Sequence, residues 1–114
     1  MIHGMNIEPL LKAQPPNTRL PTFALLVLGI VDSISSGVLS ASDAVTTFFN
    51  AQNCLFVRHG LKNRTADQIM SHGVQLPDLF DALVPDEAAR ELREELRAIQ
   101  DLCRLLLQRK ALAA

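Results

Sequence analysis

The chain has 114 residues, a formal net charge of −1 and a hydrophobic fraction of 48%. The length is typical of a single domain, and this hydrophobic fraction excludes global disorder. The balanced charge gives no overall field that would attract nucleic acid or an anionic membrane. With five Phe and neither Trp nor Tyr, the core must be mostly aliphatic, which favours packed helices over sheets.

Residues 1–21 contain four prolines, which forbid a continuous helix there: Pro9, Pro15, Pro16 and Pro21. We therefore predict an extended N-terminal arm over 1–21, or a disordered leader, followed by one helical domain over 22–114. Ile7, Leu10 and Leu11 could dock the arm on that domain. The segment lacks the layout of a secretory signal peptide, and Met5 is an alternative start.

A first helix is predicted from Thr22, a plausible N-cap, to Ser36, with Gly37 ending it. Its apolar block 23–31 is about nine residues long, whereas a membrane span needs about 20. The block therefore predicts a core helix and no membrane contact. Three small residues recur every four positions and form a groove that another helix of this chain, or of a second copy, could approach: Gly29, Ser33 and Gly37.

The middle of the chain contains three shorter predicted helices. A second helix begins at Ser40 with a capping pattern completed by Asp43, and it weakens over 50–53. Residues 54–60 permit a short strand, but no partner strand exists, so a helical turn is favoured. A third helix is predicted from a capping box that opens at Thr65, and it ends at His72 with Gly73 as its stop. A short helix follows over 77–83.

The C-terminal stretch 86–110 predicts one long amphipathic helix, because its apolar residues recur at three- and four-residue steps. Its apolar stripe comprises Ala88, Ala89, Leu92, Leu96, Ile99, Leu102, Cys103, Leu106 and Leu107. Leu105 and Leu112 lie off this stripe. If they are exposed, they indicate a second contact surface and a homodimer. The alternative is that they are scattered surface leucines or lie in a frayed end.

The residue types that usually carry chemistry do not form a recognisable motif. Cys54, His59, His72 and Cys103 lack the paired spacing of a zinc site. Arg58 would lie beside Cys54 on a helix and could lower its thiol pKa, but no motif supports a nucleophile. The common phosphate-binding, dinucleotide-binding, hydrolase and metalloprotease signatures are missing from the sequence. We therefore predict no catalytic, cofactor-binding or metal-binding residues. Two buried, reduced thiols favour a cytoplasmic protein.

A basic cluster precedes the third helix and is the main indication of a nucleic-acid partner: Arg58, His59, Lys62 and Arg64. These side chains could contact phosphates. The helix over 77–83 that follows carries Asp78 and Asp81 and no basic residue, so it would be repelled from a major groove. Nucleic acid is therefore a secondary hypothesis, and the cluster is more simply a solvated loop.

Together these patterns predict an all-α fold: a compact bundle of four to five helices with a long C-terminal helix across the first one. The predicted function is a small, non-catalytic protein-interaction or regulatory module that self-associates and binds a protein partner through helix surfaces. Its alternatives are a nucleic-acid-linked regulator that uses loop 58–64, and a small ligand-binding or enzymatic domain near His59 and His72. The candidate contact residues are Arg58, His59, Lys62, Arg64, His72, Leu105 and Leu112.

Overall fold

A computed structural model describes the backbone of residues 4–113 and the side chains of residues 4–108. All of the regular elements in this part of the chain are helical, which confirms the all-α prediction. The seven α-helices are α1 (Ile7–Lys12), α2 (Arg19–Ser35), α3 (Ala41–Thr47), α4 (Ala51–Phe56), α5 (Arg64–Gln75), α6 (Asp78–Ala82) and α7 (Pro85–Ala113). A 3₁₀ turn, Pro16–Thr18, precedes α2, and a π-helical segment, Val57–Leu61, continues α4. The predicted count of four to five helices is therefore wrong.

The first helix lies inside the segment predicted to be an extended arm, so that prediction is wrong too. Asn6 caps α1, and its side-chain oxygen accepts a hydrogen bond from the backbone N–H of Glu8 at 3.2 Å. Pro9 falls in the first turn of α1 and Pro21 in the first turn of α2. Backbone N–H groups in a first turn have no partner within the helix, so proline is tolerated there. The prolines thus stand at helix starts.

The buried side chain of Asn53 ties the N-terminal segment to the start of α4. Its carbonyl oxygen accepts the N–H of Ile7 at 3.1 Å. Its amide nitrogen donates to the carbonyl of Met5 at 2.7 Å and to that of Phe48 at 2.9 Å. Ile7 and Leu11 are fully buried nearby. We call the bonds of Asn53 to Ile7 and Met5 the N-terminal clasp, because they hold this segment against α4 while Ile7 and Leu11 join the core.

The longest apolar segment, α2, packs along α7 at the centre of the molecule. Its buried residues are Phe23, Ala24, Val27, Val31 and Ile34. Ile34, in the last turn of α2, and Leu92, near the start of α7, line the same cleft. Because most of α7 lies beyond Leu92, α2 can pack along it only if the two helices run antiparallel. The end of α2 at Ser35 and the positive φ of 81° at Gly37 agree with the predicted stop.

The stretch Pro16–Ser35 also has the length and composition needed to cross a membrane, with a mean hydropathy of 1.3. A buried core helix and a signal sequence near the N-terminus meet the same criterion.

The predicted small-residue groove of α2 is open at Gly29. Gly29 is exposed, and a Cβ added there would meet no atom within 4 Å. No helix in the described part of the chain therefore closes on the predicted small-residue groove at Gly29.

The local signals for the middle helices are partly confirmed. Ser40 caps α3 as predicted, and its hydroxyl accepts the N–H of Asp43 at 3.0 Å. Residues 54–60 are helical, which confirms the preference for a turn over a strand. The second helix is broken at Phe48, and Asn50 caps the new helix α4 through the N–H of Asn53 at 2.9 Å.

The boundaries predicted for the third helix are wrong at both ends. The N-cap of α5 is Asn63, whose side chain accepts the N–H of Ala66 at 3.0 Å, and the box at Thr65 lies inside the helix. At the other end, α5 continues past Gly73 to Gln75. Gly73 is buried in the helix, and a Cβ there would come within 2.2 Å of the Phe49 ring. Its lack of a side chain serves helix packing.

Candidate functional site

The C-terminal half of α7 has an apolar edge that runs from Leu102, which packs against the core, out to the exposed Leu105. Cys103 and Leu106 point into the core and are buried, whereas Leu105 is 45% exposed. On a helix, Ala98, Leu102 and Leu105 follow one another at steps of four and three residues and share a face. Ala98 and Leu102 are half-buried. We call these three residues the leucine strip.

The leucine strip forms one wall of a shallow groove between α5 and α7, with a volume of about 490 Å³. The groove is lined by His72, Ala98, Asp101, Leu102, Arg104, Leu105 and Gln108. Its charged rim is partly neutralised, because Arg104 donates to the carboxylate of Asp101 at 3.2 Å. The floor is thus apolar and the rim polar, which is the usual anatomy of a protein-binding surface.

His72 is held at the edge of this groove by a contact between helices. Its Nδ1 lies 2.8 Å from the Oε2 of Glu95 on α7, and both side chains are about one-third exposed (37%). The contact joins α5 to α7 and fixes the orientation of the ring. A half-exposed pair of this kind stabilises by no more than about 1 kcal/mol. The contact with Glu95 therefore holds the His72 ring at the rim of the groove.

The three cations of the basic cluster 58–64 are all exposed, and they differ in their local partners. The guanidinium of Arg58 lies 3.6 Å from the carboxylate of Asp67. Lys62 is exposed and adopts the left-handed conformation, with φ of 51°, where it ends the π-helical segment. Arg64 is exposed in the first turn of α5. One of the three cations is thus already paired.

The two histidines of the ligand-binding hypothesis lie in different concavities. His59 is exposed and lines a depression of about 440 Å³ between α1 and α4, together with Glu8, Lys12 and Leu55. No residue lining this depression also lines the groove at His72. The structure therefore does not bring His59 and His72 together.

Both cysteines are free thiols. Burial raises the pKa of Cys103 to about 12, against a smaller opposing effect of Arg104. Burial also raises the pKa of Cys54, with a further contribution from the negative charge of Asp67 that outweighs Arg58. Arg58 does act to lower the Cys54 pKa, as suggested, but burial and Asp67 outweigh it and the net shift is upward. Thiols with raised pKa values are weak nucleophiles at neutral pH.

Within the part of the chain that the structure describes, no three His, Cys, Asp or Glu side chains are grouped so that they could hold a metal ion. The side chain of Leu112 lies outside the described residues. Of the predicted contact residues, the structure therefore brings two, His72 and Leu105, to one surface.

Sequence reasoning missed a second cleft, formed where the end of α2 meets α3, α6 and the start of α7. Its volume is about 470 Å³. The lining consists of Ile34, Gly37, Leu39, Ser40, Ala41, Ser42, Pro77, Phe80, Asp81 and Leu92. Phe80 is 51% exposed at its edge. We call this cavity the acidic cleft, because Asp81 is the charged residue in its lining. Three separate chain segments build it, so no local pattern could have indicated it.

No protein-family model, curated protein or solved structure matches this chain. The structure defines the fold class, which is all-helical over the described residues, with an apolar groove at α5 and α7.

Proposed function

We propose that this protein is a small, non-catalytic interaction module that self-associates, and binds protein partners, through the leucine strip of α7. The observation that carries the proposal is the exposure of Leu105 beside an apolar groove, on a helix whose opposite face is already buried in the core. A reducing, cytoplasmic setting is proposed with it, because both cysteines are free thiols.

The mechanism is burial of apolar surface with polar groups at the edge. Removing apolar surface from water stabilises by about 25 cal/mol per Å², so a leucine side chain inserted into a partner contributes about 2 kcal/mol. His72, Asp101 and Arg104 surround the strip and would set which partner and which orientation are accepted. The modest size of the groove supports a reversible association.

Self-association is tested by placing a charged side chain in the leucine strip. We expect Leu105→Glu to prevent self-association, because a carboxylate would have to be buried without a partner. The matched control is Leu10→Glu, since Leu10 is also 45% exposed but lies on α1. It should leave the association unchanged. Native mass spectrometry and light scattering over a range of protein concentrations measure both.

A wild-type protein that stays monomeric at every concentration would contradict self-association. So would a Leu105→Glu protein that associates as the wild type does. A monomer that carries a stoichiometric small-molecule adduct would replace the proposal with the ligand-binding alternative.

The second candidate function is contact with nucleic acid through Lys62 and Arg64, which are both exposed and lie two positions apart in the chain. Neutralising Arg58, Lys62 and Arg64 together should then weaken binding to a polyanion in a salt-dependent way. Unchanged retention of the triple variant on a polyanion column would eliminate this candidate.

A further inference from the structure

We draw no further inference here: the strongest candidate, the acidic cleft where the end of α2 meets α3, α6 and the start of α7, has a single charged residue, Asp81, in a largely apolar lining, and nothing in the structure shows what covers it.

Discussion

Gly73 lets the ring of Phe49 lie against the backbone of α5, at a distance where a side chain would collide with it. We expect Gly73→Ala to lower the free energy of unfolding by about 1–3 kcal/mol, as overpacking does. The loss should appear although alanine favours a helix by about 1 kcal/mol. Gly29→Ala is the control: it meets open space in α2 and should stabilise by about 0.5–1 kcal/mol. Urea unfolding followed by circular dichroism measures both, and changes of the same sign would contradict this account.

The thiol of Cys103 should make stability depend on alkaline pH. Its pKa of about 12 in the folded protein lies above the ordinary 9.0, so the folded state keeps a proton that the unfolded chain releases. The stabilising contribution is therefore complete below about pH 9 and is lost as the pH rises from about 9 to about 12. Cys103→Ala should show a shallower alkaline decline in the free energy of unfolding. Parallel curves for the two proteins would contradict the prediction.

At the scale of helices, two residues near the start of α5, Asn63 and Thr65, are both candidates for its N-cap. Asn63 accepts the N–H of Ala66, whereas Thr65 lies one residue inside the helix. Asn63→Ala should destabilise by about 1 kcal/mol, the usual cost of a lost N-cap. Thr65→Ala should be close to neutral, because its side chain makes no capping bond. Thermal unfolding of the two variants tells them apart, and a larger loss for Thr65→Ala would restore the box predicted from the sequence.

Local patterns predicted the helices that local forces determine. The cap at Ser40 is readable from four residues, and α7 is readable because its apolar period continues for many turns. A pattern that reads every proline as a helix breaker does not predict α1, because Pro9 occupies a first turn, where proline is tolerated. The same local pattern predicts a stop at Gly73, because the ring that requires a glycine there, Phe49, lies 24 residues away in the chain.

The candidate surfaces could also be predicted only as far as local sequence determines them. Leu105 was identified from its place off the apolar stripe, because helical geometry alone determines that place. The groove beside it required His72 from another helix, and the acidic cleft required segments 34–42 and 77–81 together with Leu92. Such sites depend on tertiary packing, which the spacing of residues along the chain does not contain.

At the scale of the whole molecule, the N-terminal segment contributes to stability well beyond its length. Deleting residues 1–12 would remove the buried Ile7 and Leu11, each worth about 1.5–3 kcal/mol, and would leave the Asn53 amide without two of its partners. Since a domain has only about 5–15 kcal/mol in total, we expect calorimetry to show a much lower Tm or no cooperative transition. Leu10→Ala, on the exposed side of α1, should change the Tm little. A truncated protein as stable as the full chain would contradict the role of the N-terminal clasp.

The antiparallel packing of α2 on α7 has a consequence for biosynthesis. The two helices are separated by about fifty residues of chain, and α7 leaves the ribosome after α2 and the helices between them. Until it emerges, the side of α2 that packs on α7 has no cover, and a nascent chain in that condition is prone to aggregate. Packing of α2 must then wait until α7 has emerged, and chaperones that hold exposed apolar segments should bind the growing protein at α2.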